Sequence, residues 1–345
     1  MFGRLPSGRQ TGRASLLALA ATSLLLFAAC GPATGGTTNA AAAASLKACQ
    51  VSASDLKIAA SGSVPAAPSV DAAIKGQNIS VDGSSALGPL VAKAAQTFDA
   101  TQGTHTTVVA NGSGNGLKDV ESGAVNLGLS DFFKEQSSTP AKFTDLVDHQ
   151  VAVVAFTLVV SKDISSTVHN LTTAQIKQIY TGQVTNWSQI GGPNEAITVV
   201  NRPLVSGTRA TFKQYVLGGA QESGTGYTTT QDTTGAVATK LSSSQGAIGY
   251  VATGFVLDPS FNSTIFPICI DGYGATASNI NSGKYLYWSY EHAYTKGQPS
   301  PAVNDLLNYV TSSAVQTTLV PALGYLTVSD LTAAARATHP APAGA

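Results

Sequence analysis

Three short stretches carry hydroxyls, glycine and charge where a strand pattern gives way to a helix pattern. The richest is Asn201-Arg202-Pro203-Leu204-Val205-Ser206-Gly207-Thr208-Arg209, which follows the strand-like Ala196-Ile197-Thr198-Val199-Val200. A helix opening on Ser206 presents unpaired N–H groups and the positive end of its dipole. Ser206 and Thr208 add hydroxyls, Gly207 lets an anion approach the backbone, and Arg202 and Arg209 bring positive charge. That is an anion site built at a helix start. Taken alone, an N-cap serine beside surface arginines explains the stretch better.

Two upstream turns change the balance. Ile79-Ser80-Val81-Asp82 runs into Gly83-Ser84-Ser85-Ala86 and a helix pattern through Phe98. Thr107-Val108-Val109-Ala110 runs into Asn111-Gly112-Ser113-Gly114, a helix pattern, and then the strand-like Val125–Ser130 ending at Asp131. Several hydroxyl-bearing helix starts, an arginine and a carboxylate suit a small oxyanion that has a proton of its own to donate.

In this order and spacing the motifs resemble those of the periplasmic phosphate-binding proteins of phosphate ABC transporters, substrate-binding lipoproteins. The resemblance runs from about Gln77 to Ser329 and includes Leu171–Gly182, Thr185-Asn186-Trp187 and Gly246–Val251. It implies a phosphate ligand set: hydroxyls from Ser85 and Ser113, a backbone N–H from Ala86, an acceptor in Asp131, the charge of Arg202, and donors from Ser206, Gly207 and Thr208. The family often has threonine and an aromatic where this chain has Ser85 and Ala86. Serine keeps the donor, but alanine thins the apolar cover. Arg209 has no assigned contact.

An ionised carboxylate only accepts hydrogen bonds, so Asp131 beside an anion needs a reason. Phosphate near neutral pH keeps a proton and can donate it to Asp131, whereas sulfate cannot. The ordinary alternative is that Asp131 caps the next helix or pairs with Lys134. A binding protein for sulfate or molybdate is the competing function, and Asp131 speaks against it. A phosphate-ester hydrolase is weaker still. Gly112-Ser113-Gly114 is not a nucleophile elbow, no Gly-Lys-Ser/Thr follows it, and the five histidines are scattered, so no enzyme, cofactor or metal site is expected.

The 345 residues carry zero formal net charge with 11% charged residues, which argues against a nucleic-acid partner. Arg4, Arg9 and Arg13 precede the apolar Leu16–Ala29 and the lipobox-like Leu26-Phe27-Ala28-Ala29-Cys30. Residues 1–29 therefore read as a signal peptide and Cys30 as a lipidation site, anchoring the product to the outer face of a bacterial cell membrane or leaving it periplasmic. Cleavage there removes three arginines and no acids, leaving a formal charge of −3. Local dipoles and arginine, not overall charge, must then draw the anion. Cys49 and Cys269 are open between one disulfide and two free thiols.

The elements that position these turns alternate between strand and helix patterns, so the chain reads as α/β with mostly parallel sheets. Val151–Val160 is too long an apolar run for one ordinary strand and fits a crossing between two domains; Ala247–Val251 is the candidate return. The resemblance makes these the hinge of a two-domain periplasmic binding protein with its ligand cleft between the domains. Domain I is then 77–156 with 251–335, and domain II is 157–250. Residues 30–76 read as a lipidated tether and 336–345 as an unstructured tail. A monomer that serves the permease of an ABC importer is the implied assembly.

Overall fold

The computed structural model describes Cys49, residues 64–223 and residues 228–343. The signal peptide and Cys30 lie outside the described residues. The chain runs β1 (Asn78–Gly83), α1 (Gly88–Gln102), β2 (His105–Ala110), α2 (Ser113–Ser122) and β3 (Leu127–Ser130), then the long β4 (Leu146–Ser161). Next come β5 (Asn170–Leu171), α3 (Thr173–Tyr180), β6 (Thr198–Asn201), α4 (Gly207–Tyr215), β7 (Thr228–Thr230), α5 (Thr234–Ser242), β8 (Ala247–Ala252), α6 (Thr253–Leu257), β9 (Ile265–Ile270) and α7 (Ala277–Asn281). β10 (Trp288–Lys296), α8 (Pro301–Val310), α9 (Ser313–Ala322), β11 (Tyr325–Leu326) and α10 (Ala333–Thr338) follow.

Alternation places β1: Ile79 and Val81 are buried on one face, as period-2 patterning requires. α1 starts with proline in its first turn and buries Leu90, Val91, Ala94, Ala95 and Phe98 along one stripe. Burying a leucine or phenylalanine there contributes about 1.5–3 kcal/mol.

The sheet order is β2-β1-β3-β10-β4-β8-β6-β7, with β11 and β9 also on β4. The parallel pairing expected from alternation holds in β2-β1-β3 and in β8-β6-β7. It fails at the centre, where β10 is antiparallel to β3 and β4, and β4 to β8. The physical reason is directional: a chain that leaves one lobe and comes back runs opposite ways at the boundary.

β4 is the outward crossing, buried without interruption from Val151 to Ser161. Its first half pairs with β10 and β11, and its second half with β8 and β9. β8, the expected return, runs beside the second half of β4. β8 pairs with Phe156–Val160 and with β6, and β9 then pairs with Leu158–Ser161 and with β5. Directly after β8 the Thr253 hydroxyl lies within hydrogen-bond reach of Ala155 O and Gly324 O, while β9, expected in domain I, pairs with the second half of β4. Both edges of the buried half of β4 need backbone partners, and β9 supplies the second.

Both ends of the described region are more ordered than composition suggests. Within the expected tether, Ile74 is fully buried and the Tyr309 hydroxyl donates to Pro65 O. Cys49 and Cys269 form a disulfide with Cα atoms 4.9 Å apart, tying the tether to β9. The expected unstructured tail includes the end of α10 and the buried His339, whose ring lies 3.7 Å from that of Tyr215 and 3.8 Å from that of Trp288. Two aromatic partners outweigh the disorder that Pro and Ala suggest. Among the described residues no helix is long and apolar enough to cross a membrane.

Candidate functional site

All eight residues assigned to the site from sequence are buried, and they converge from both lobes. Asp131 leaves the end of β3 and is 1% exposed. Its Oδ1 accepts from the Ser84 hydroxyl, and its Oδ2 accepts from the Thr208 hydroxyl of α4 at 3.0 Å. Its backbone N–H donates to Ser113 Oγ at 3.1 Å, at the start of α2. Neither helix capping nor Lys134 claims this carboxylate, because Lys134 Nζ donates to Leu146 O. Burial raises the Asp131 pKa, while the Ser84 and Thr208 hydroxyls and the Arg202 charge pull it back.

Arg202 is 1% exposed and follows β6 directly. Nη1 donates to Thr234 Oγ1 at 3.0 Å, and Nη2 donates to Ser85 Oγ at 3.1 Å and Asp232 O at 2.9 Å. Its Nε is buried with no hydrogen-bond partner among the described residues. Burial disfavours the guanidinium charge, and Tyr250 and Asp131 oppose that shift.

Two glycines make the close approach possible. A Cβ on Gly207 would sit 2.3 Å from Ser113 Oγ and 2.7 Å from Asp131 Cβ, so no side chain fits there. Gly112 has φ +107°, and a Cβ there would lie 3.0 Å from Val205 O. The lobes are latched at this seam: Gly114 N donates to Val205 O at 2.9 Å, and Thr234 N to Ser85 Oγ at 3.1 Å.

Some expected donors are otherwise engaged. The Ala86 N–H goes to Ser84 Oγ at 3.0 Å and the Thr208 O–H to Asp131, whereas Ser206 Oγ, which caps α4 by accepting from Arg209 N at 3.3 Å, keeps its own O–H to donate. Arg209 is turned aside: its Nε lies 3.1 Å from Glu222 Oε2, and its Nη1 donates to Arg202 O. It braces the backbone that carries Arg202.

The sequence reading missed Ser84, Thr234, Ser289 and Glu291. Thr233-Thr234-Gly235 is a fourth hydroxyl-and-glycine helix start and could have been found by the same rule. Ser289, which donates to Asp131 O, and Glu291 lie on β10, remote in sequence from every turn, and carried no local signal. Glu291 is fully buried, neither of its oxygens has a hydrogen-bond donor among the described residues, and burial followed by the nearby Asp131 pushes its pKa well up.

The site as a whole offers hydroxyls, helix-start N–H groups, one cation and one carboxylate acceptor to a small anion, and among the described residues no acidic, histidine or cysteine cluster suits a metal. A family model of the PBP superfamily domain matches residues 34–314. Phosphate-binding protein PstS of Bacillus subtilis (strain 168) is 38% identical over 256 residues, covering 74% of this chain and 82% of that one. A second PstS, from Borreliella burgdorferi, is 25% identical over 247 residues, 69% of this chain and 86% of its own. A Clostridium perfringens structure, described as a phosphate ABC transporter substrate-binding protein with bound phosphate, aligns with a TM-score of 0.65 at 25% identity, over 73% of this chain and 100% of that one. An ABC-type phosphate transport receptor from Vibrio cholerae shares the fold at a TM-score of 0.57 and 22% identity, over 72% and 99%. With the superfamily model and the Bacillus relative both spanning most of its length, the chain belongs to the PBP superfamily and, within it, to the PstS family of phosphate-binding proteins.

Proposed function

We propose that this protein binds inorganic phosphate outside the cytoplasm and delivers it to an ABC importer by closing its two lobes on the ion. The names of its relatives support the ligand, and the description of the Clostridium perfringens structure supports the transporter. The observation that carries the reading is a buried, acceptor-only carboxylate beside a buried guanidinium whose Nε–H has no partner among the described residues, among hydroxyls at helix starts. A general anion site has no use for Asp131. A site for an anion that carries its own O–H does.

Ser85, Ser113 and Ser206 hydroxyls and Arg202 would supply side-chain donors, Gly207 and Thr208 would supply N–H groups at the start of α4, the Ala86 N–H would join them by leaving Ser84 Oγ, and Asp131 would accept from P–OH. The protein acts as a binder rather than an enzyme, as its relatives' names suggest. It works as a monomer, held to the membrane by a lipid on Cys30. Thermal melts with phosphate, arsenate, sulfate and molybdate test the ligand. Phosphate should raise the midpoint with concentration, by about 2.7 kcal/mol of stability at a hundredfold excess over Kd. A sulfate response equal to the phosphate response would overturn the assignment.

A further inference from the structure

Glu291 is a titratable group in the deepest part of the fold that the binding scheme above leaves unused. β10 carries it between β3 and β4, with Ala152 of β4 as its backbone partner and Ser130 of β3 opposite its neighbour His292. It is fully buried, and no lysine, arginine or hydroxyl donates to either oxygen among the described residues. An ionised carboxylate cannot remain in such a place unpaired. The antiparallel register that sets His292 opposite Ser130 carries on to Glu291 and Asp131, which brings the two carboxyls side by side, and Ser289 two residues earlier on β10 already donates to Asp131 O.

Two carboxyls in hydrogen-bond contact require a proton between them. The surroundings decide which one holds it. Asp131 already accepts hydroxyls from Ser84 and Thr208 and feels the charge of Arg202, so it is the better anion. Glu291 has none of these. The remaining titratable neighbour, Tyr325 of β11, sends its hydroxyl to Ala86 O, and the adjacent His292 is turned to Asp148.

We infer that Glu291 is a specificity-positioning residue, a neutral carboxylic acid whose O–H donates to Asp131 from behind and holds it as an ionised acceptor. A carboxylate has about four lone-pair sites. Ser84 and Thr208 take two, Glu291 takes a third, and the remaining one faces the ligand. The pair together carries one negative charge, which Arg202 balances. A singly charged pair still demands a P–OH from its ligand, without adding the repulsion of a second carboxylate. The inference rests on the phosphate reading for its consequence, but the shared proton itself does not.

Infrared difference spectroscopy on the whole exported chain at neutral pH tests it. The parent should show a protonated-carboxyl band that Glu291→Gln lacks, and Asp131→Asn should shift that band to higher frequency, because an amide is a weaker acceptor. A spectrum unchanged by Glu291→Gln means Glu291 is ionised and overturns the inference. A band that ignores Asp131→Asn overturns the pairing. In calorimetry Glu291→Gln, whose amide still donates to Asp131, should keep phosphate affinity within a few-fold, and Glu291→Met should lose on the order of tenfold or more. Equal affinities in the two variants leave only a packing role and overturn it. Should the methionine variant fail to fold, the spectra decide alone. A parent that shows the band and binds no phosphate instead defeats the functional reading.

Discussion

Arg202 commits two of its nitrogens to Ser85, Thr234 and Asp232 and leaves a buried Nε with no partner among the described residues. Removing it should therefore cost binding more than folding. Arg202→Ala is expected to weaken phosphate by roughly 2–5 kcal/mol, on the order of 30-fold to several thousandfold in Kd, measured by calorimetry. Asp131→Asn probes the other sign. The amide can accept from P–OH or donate to a bare oxygen, so the repulsion against fully deprotonated anions disappears. Phosphate affinity should change little, and the sulfate-to-phosphate affinity ratio should rise in competition binding. At this scale the sequence was highly legible, because hydroxyl, glycine and arginine at a helix start are local chemistry. Arg209 was not legible: nothing near it in sequence announces that Glu222 will take its guanidinium.

Between elements, the packing of β1 against α2 puts two acids together. Asp82 at the end of β1 is pushed up from 3.8 to about 6, chiefly by burial and then by Asp119 of α2, while Asn111 opposes the shift. Between those two pH values the native state holds a proton that the unfolded chain has lost. At this group the native state thus binds more protons, and its contribution to stability falls as pH rises through this window. Asp82→Asn should flatten that fall, so chemical denaturation of the variant and parent between pH 4 and 6 should show the variant gaining relative stability toward pH 6. The alternation of strands and helices, the α4 start at Ser206 and the α1 stripe were all written in the sequence. The antiparallel pairing of β10 was not, since its partners β3 and β4 lie far upstream.

On the scale of the whole molecule, the site exists only while the lobes touch. Thr208 reaches Asp131, Arg202 reaches Ser85, and Gly114 reaches Val205 across the seam. Phosphate that contacts both sides has differential affinity for this closed form. X-ray scattering of phosphate-stripped protein should show a smaller radius of gyration once phosphate is added. Gly207→Ala should separate closure from folding. Its methyl would stand 2.3 Å from Ser113 Oγ, a contact made only across the seam. That variant should keep a parent-like melting curve without ligand, show no contraction with phosphate, and bind it at least tenfold more weakly, as expected for a clash of about 1.4 kcal/mol or more.

The chemistry on offer could be read from the residues alone: which turns open helices, which of them carry hydroxyls and glycine, and that one arginine and one aspartate stand beside them. These follow from residue type and short spacing, the same physics wherever the segment lies. Folding in three dimensions was needed to show that β10 runs antiparallel between β3 and β4, that His339 is packed rather than loose, that Cys49 is bonded to Cys269, and that Glu291 is fully buried on β10. Each of those depends on bringing together residues far apart in the chain. Hydrophobic periodicity says which face is buried, but not what it is buried against.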